Sequence, residues 1–450
     1  MKSKKVIIIG GSDVGISAAL RIRELDESIR PLVIADNNFP NFSICGIPFY
    51  LGGEVKEWQN LAHRTRADLE AAGMDLMLET KVEAIDPAQK TVTVKKNGQN
   101  EILSYDKLVL GTGGRNIIPP ITGINLPGVF FMRWMDDCLS FDKYLKNNQP
   151  EQAVIIGGGY VGLEMAEALT RRGVKVTLVE FADNILTTVD ESLAKTVAEN
   201  LSAQGIKIVT GTAIEEIEET DSGLLVSGSG GFKLETDVVL ASVGTEPNTD
   251  LGQAAGLKTG LKGAYQVNRK METSQPDIYA GGDCVETLNQ ITGKHSYYAL
   301  GTVAHKHGRI IGSNICGQDQ EFAGVIGTQS LKLFDTVIAR TGLDKKEARE
   351  AGFQPIQAEV EAWDHKIYYP PAYKTRVHVV ADARSRRILG AQILGHIDAE
   401  ISKRIDIFAA AIYQETTIED FNQFDLSYTP PLSSPWDPVQ TAVQALPEAD

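Results

Sequence analysis

The sequence predicts an α/β protein in which two parallel-sheet domains precede a C-terminal α+β domain. Three observations carry that reading. A strand–glycine turn–helix–strand pattern occupies residues 4–36, a second copy occupies 152–180, and beyond about residue 327 the pattern changes to strands, a helix and strands. A chain of 450 residues has room for about three domains.

The first unit opens with the β-branched run KKVIII, Lys4–Ile9, turns at Gly10-Gly11-Ser12-Asp13-Val14-Gly15 and continues as the helical pattern ISAALRIREL. The strand PLVIAD then ends at Asp36, an acid about 20 residues beyond the glycines. Gly10 permits the sharp turn, and Gly15 lets helix and strand pack closely. The helix N-terminus aims free N–H groups and its positive dipole end at a pyrophosphate. Ser12 stands where the middle glycine of GxGxxG is usual. Asp36 is placed to accept hydrogen bonds from an adenosine ribose.

The second unit is more regular. The strand Gln152–Ile156 is followed by Gly157-Gly158-Gly159-Tyr160-Val161-Gly162, a helix LEMAEALTRRG and the strand VKVTLVE, which ends at Glu180. Gly157, Gly159 and Gly162 fill all three glycine positions. No Arg closely follows Glu180, so a 2′-phosphate would meet a carboxylate and NADH is expected over NADPH. Arg171 and Arg172, which close the preceding helix, are the cations that would soften that preference.

Two Rossmann-like units imply two dinucleotides, and an NADH site beside a second such site points to FAD. The strand PDIYAGGD, ending at Asp283, supports this, because an acid after paired glycines can hydrogen-bond a ribityl hydroxyl or seat the flavin-side phosphate at the next helix. The runs YDKLVLGTGG, with Thr112 and Gly113, and DVVLASVGTEPN, with Gly244, Pro247 and Asn248, read as returns between the two nucleotide domains. The expected boundaries are 1–118 with 250–326 for a discontinuous FAD domain, 119–249 for the NAD(P)H domain and 327–450 for the third.

Composition narrows the function. With 44 basic and 59 acidic residues the net charge is −15, against nucleic acid as a partner and against an anionic membrane surface. The four cysteines, Cys45, Cys138, Cys284 and Cys316, have neither zinc-like spacing nor the density of a disulfide scaffold, so no metal is expected. The opening MKSKKVIIIGGSDVG has no small-residue cleavage site and reads as a first strand. No run approaches a spanning helix, so a cytoplasmic location is expected.

Further motifs run through nearly the whole chain: NFSICGIPFYLGG at 41–53, GGGYVGLEMAE at 157–167, PDIYAGGDC at 276–284, GTQSLKLFD at 327–335, HKIYYP at 365–370 and YTPPLSSPWDP at 428–438. With the glycine turns, they make the chain resemble the pyridine nucleotide-disulfide oxidoreductases. More closely it resembles their single-cysteine branch of coenzyme A-disulfide reductases, persulfide reductases, NADH oxidases and NADH peroxidases. Two-cysteine members carry CxxxxC, whereas Cys45 is followed five positions later by Tyr50. The resemblance therefore implies that Cys45 is the sole redox sulfur, receiving from reduced flavin the electrons that NADH delivers. A loop-to-helix position, Cys45-Gly46-Ile47-Pro48, favours its thiolate.

The resemblance implies further roles. Glu164 assists near flavin and nicotinamide. Val82 and Ala304 contact the cofactor. Arg21, Arg23, Asn41 and His305 lie on the substrate side. The third domain makes a homodimer that brings Tyr368 and Tyr428 to the partner's redox cysteine, where a phenol can donate to a thiolate. Departures bear on the acceptor. The usual Arg-Arg pair for coenzyme A is Arg23-Glu24, a frequent Lys falls near Gly73, Asn before the redox cysteine is Ile44, and the peroxidase His is Asp13. The acceptor expected is a small-molecule disulfide or persulfide of the coenzyme A type. The alternatives are oxygen, through a Cys45 sulfenic acid, and a non-catalytic redox-sensing flavoprotein.

Overall fold

The run Val6–Ile9 is β-branched at every position and forms the centre of a five-stranded parallel sheet. Such runs suit a strand buried on both faces, and Ile8, Val33, Leu108 and Val109 are fully buried there. Burying each stabilises the fold by about 1.5–3 kcal/mol relative to exposure. The computed structural model describes residues 4–96 and 98–448, so the first three residues of the opening segment and the last two of the chain lie outside it. The sheet runs Ile278–Ala280, Lys107–Leu110, Val6–Ile9, Leu32–Ile34, Asp75–Met77. Its edge strand Ile278–Ala280 follows the whole second sheet in the chain.

That second sheet is also five-stranded and parallel, in the order Lys207–Val209, Lys175–Val179, Gln152–Ile156, Val238–Ala241, Val129–Phe131. Both sheets carry a three-stranded antiparallel appendage, at 81–104 and 214–236. The two halves are joined by paired crossings. Gly114–Asn116 pairs antiparallel with Thr245–Pro247, and Thr112 Oγ1 donates to the Asn248 carbonyl at 2.6 Å. The third domain is an antiparallel five-stranded sheet, Gln329–Leu333, Thr336–Gly342, Ile388–His396, Lys374–Asp382, Pro355–Trp363, backed by the helices Ile401–Tyr413 and Pro438–Gln444. The α/β class with a C-terminal α+β domain is thus the observed architecture.

One helix pair positions the site. The first helix, Asp13–Leu25, packs closely on Gly301–Ile315. A Cβ at Gly308 would lie 2.5 Å from the Val14 carbonyl oxygen, and one at Gly312 would lie 2.6 Å from that of Ala18. The small residues let the helices touch and set the side chains of one in register with the other. Among the described residues, no helix is long and apolar enough to cross a membrane.

Candidate active site

Both glycine turns are shaped by close approach. Gly10 and Gly157 each adopt φ +111°, and a Cβ there would sit 2.1 Å from the Gly111 oxygen or 2.3 Å from the Ser242 oxygen, so no other residue fits. Gly15 and Gly162 close the same turns, each with room for no Cβ against the carbonyl of Gly10 or Gly157. Ser12 and Gly159 are the N-caps of the following helices, and neither helix receives a side-chain cap. Both N-termini therefore keep free N–H donors, and both face one cleft of about 1890 Å³. Two uncapped helix ends on a shared cleft fit two pyrophosphates. Asn41, buried beside the first turn with its N–H on the Gly11 carbonyl, leaves its Oδ1 unpaired. These features fit FAD at the first turn and a pyridine nucleotide at the second.

The acids that end the two strands differ. Asp36 is exposed and accepts from Asn37 at 3.1 Å. Glu180 braces its turn: Oε2 accepts the Gly158 N–H at 2.6 Å and Oε1 that of Ala182 at 2.7 Å. Arg171 and Arg172 point elsewhere, to Glu167 and to Asp142.

Cys45 lies in the short turn Ile44–Gly46 that leads into the helix Ile47–Leu51. It is exposed and lines the cleft. A thiol lowered by the helix end is not what the chain alone provides. Burial, followed by the charges of Glu164, Asp13 and Asp283, pushes the Cys45 thiol up, with Arg133 opposing. Five residues on, Tyr50 is buried, and its hydroxyl donates to Asp142 at 2.8 Å. Arg172 completes this anchor at 2.7 Å from Asp142. All four cysteines are free.

Glu164 faces the cleft from the helix Tyr160–Arg171. Burial and the neighbouring Glu167 raise its carboxyl to about 7, against the opposing charge of Lys332. Lys332 comes from the third domain and reaches Glu167 at 2.8 Å and Glu54 at 2.9 Å. Its ammonium also lies 5.5 Å from the Phe49 ring centre on the helix that follows Cys45. Nothing in the sequence marked Lys332 beyond its place in GTQSLKLFD. Arg133, which pairs with Asp283 at 2.5 Å and stacks over Trp134, carried no signal at all.

The cleft also gathers Gly113, Gly244, Asp283, Ala304 and His305. Thr112 lies beside it in the crossing between the domains. Other expected residues lie elsewhere. Arg23 is a correction: its guanidinium donates to the carbonyls of Ala72, Glu27 and Ile29. That packing also explains Gly73, where a Cβ would lie 2.3 Å from Arg23 Nε. Arg21 is likewise engaged, with Ser313 and Glu24 at 2.9 Å each, and does not line the cleft. Arg21 and Arg309 hold the Glu24 carboxyl below its ordinary range. Val82 is buried in the strand Lys81–Asp86, so its side chain serves the core. Tyr368 and Tyr428 stand on the outside of the third domain, 69% and 46% exposed in the single chain.

The comparisons with known proteins point to one family. A family model described as pyridine nucleotide-disulphide oxidoreductase matches residues 4–308, and one for the dimerisation domain of that family matches 328–438. The NAD(P)H sulfur oxidoreductase (CoA-dependent) of Pyrococcus furiosus is 35% identical over 448 residues, covering 99% of this chain and 100% of that one. The NADH oxidase of Lactococcus lactis subsp. cremoris is 30% identical over 447 residues, covering 97% and 99%. The solved structure of a NAD-dependent persulfide reductase from A. fulgidus superposes with a TM-score of 0.94 at 37% identity, covering 98% of this chain and 82% of that one.

Proposed function

The chain belongs to the pyridine nucleotide-disulphide oxidoreductase family, and we propose that it is an NADH-preferring, FAD-dependent reductase of a small disulfide or persulfide of the coenzyme A type. The observation that carries the reading is Cys45 on the cleft with Tyr50 anchored where a second sulfur would stand. Tyr50 offers no partner sulfur, so a disulfide or persulfide acceptor would itself bond to Cys45. Relatives that act on sulfur compounds support the choice of acceptor. A preference for NADH rests on Glu180, with Arg171 and Arg172 held by other acids.

The chain's residues then divide the work. The uncapped helix ends hold the pyrophosphates, and Glu180 meets the ribose hydroxyls of NADH. FAD, when bound, supplies the two-electron link between nicotinamide and sulfur. Glu164, with a carboxyl near neutrality, can hold or release a proton beside that link. The Cys45 thiolate attacks one acceptor sulfur, forming a mixed disulfide and expelling the first thiolate. Two electrons then cleave the mixed disulfide, releasing the second thiol with a proton and restoring the Cys45 thiolate. A homodimer through the third domain would place Tyr368 and Tyr428 beside the partner's Cys45.

Reduction of oxygen is the second reading, supported by the NADH oxidases among the relatives. A single panel separates the two. NADH consumption is measured with coenzyme A disulfide, coenzyme A persulfide, glutathione disulfide, polysulfide, oxygen and peroxide, for wild type and Cys45→Ser. A coenzyme A derivative should be the best acceptor, and its turnover should vanish in the variant. Full activity of Cys45→Ser with the best acceptor overturns the reading.

A further inference from the structure

We infer that Asp13 is the proton donor to the sulfur leaving group at Cys45, with His305 and Ser17 as the positioning residues that reload it. The inference rests on the thiol–disulfide chemistry proposed above.

Asp13 opens the first helix and lines the same cleft as Cys45. Its carboxylate makes no hydrogen bond to the N–H groups of its own helix among the described residues, so it is not spent as a cap. Instead Oδ1 faces His305 Nε2 at 3.5 Å, and His305 Nδ1 lies 2.7 Å from Ser17 Oγ. The three groups form a line across the two packed helices, held in register by Gly308 and Gly312. Solvent access differs along it: the Asp13 side chain is 23% exposed, that of His305 in the middle is 50% exposed, and Ser17 is buried. Asp13 lies on the cleft that Cys45 also lines, and His305 meets water.

Each group has a defined role. His305 is held through Nδ1 by Ser17 and turns Nε2 toward Asp13. The charged and titratable groups facing Asp13 are His305, His63, Asp283 and Cys45. Burial, together with Asp283, raises the Asp13 carboxyl against the two histidines, which favours its protonated form. A departing thiolate is far more basic than a carboxylate, so the transfer is downhill. The Asp13 carboxylic acid gives its proton to RS⁻, leaving carboxylate and RSH. The proton is then replaced from solvent along the exposed edge of His305, which Ser17 holds in place.

The test uses the FAD-loaded enzyme and the probes coenzyme A disulfide and hydroxyethyl disulfide. In anaerobic rapid mixing, Asp13→Asn should accept electrons from NADH within twofold of wild type. Its reoxidation by either disulfide should slow at least about tenfold, in the range of general-acid catalysis, and lose its solvent isotope effect. Independently of turnover, the pH midpoint for iodoacetamide alkylation of Cys45 should fall in Asp13→Asn, because in the alkaline range where the thiol ionises Asp13 is a carboxylate whose charge the variant lacks. His305→Gln should be slow and be rescued by added imidazole. Reoxidation of Asp13→Asn within twofold of wild type overturns the inference. If Cys45→Ser is inactive while Asp13→Asn is unaffected, only Asp13 falls. If Cys45→Ser is fully active, the chemistry beneath it falls as well.

Discussion

Replacing Glu164 by Gln tests the electrostatics of the cleft directly. The native carboxyl titrates at about 7, against an ordinary 4.5, because burial is the largest cause and Glu167 adds repulsion. At about 1.4 kcal/mol per tenfold change in proton affinity, that rise corresponds to about 3 kcal/mol. The sign follows from linkage. Below pH 4.5 the group is protonated in both folded and unfolded chains and contributes nothing. As pH rises, the unfolded chain loses its proton first and wild type is progressively destabilised, with the full deficit present above about pH 7. Glu164→Gln carries no such deficit. Its unfolding midpoint relative to wild type should be flat in acid and rise steadily between about pH 5 and pH 7.5. Infrared difference spectra near neutrality should show a protonated-carboxyl band in wild type that the variant lacks. A stability difference independent of pH, or a variant that loses ground as pH rises, refutes the reasoning.

Two further outcomes follow from single contacts. Glu180→Ala removes the acceptor for Gly158 N–H and, in the proposed reading, the acid that a 2′-phosphate would meet, so the ratio of kcat/KM for NADPH to that for NADH should rise at least about tenfold, given that each tenfold step is about 1.4 kcal/mol. Lys332→Met strips a cation from Glu167, which is 3% exposed. Breaking such a pair costs about 3–5 kcal/mol when the acid is left alone, but Arg171 remains at 2.7 Å. A loss of about 2 kcal/mol in urea unfolding is therefore expected, with Lys332→Arg recovering most of it.

Local signals made the nucleotide halves readable. A β-branched run, a glycine that must adopt positive φ and an amphipathic helix are all encoded within about 30 residues, so Gly10, Gly15, Gly157 and Gly162 could be placed before any coordinates. Glu180 was readable for the same reason, since its distance from the turn is set by one helix and one strand. What escaped depends on contacts across the chain. Arg23 looked like a free cation because sequence does not show that the carbonyls of Ala72, Glu27 and Ile29 converge on it. Lys332 acts on a helix 165 residues away, and Arg133 meets Asp283 across 150. Asp13 was visible as a departure from the peroxidase pattern, but its partner His305 is brought to it by helix packing that no local pattern reports.

The anchored Tyr50 gives the protein a memory of its surroundings. A paired-cysteine enzyme stores its oxidised state internally, and every oxidised molecule then has the same mass. Here, in the proposed cycle, oxidation at Cys45 must be recorded by whatever sulfur or oxygen species capped it. The intact mass of the chain taken quickly from cells would then read out the composition of the small-thiol pool, and a single adduct dominating that mass would name the acceptor without an assay.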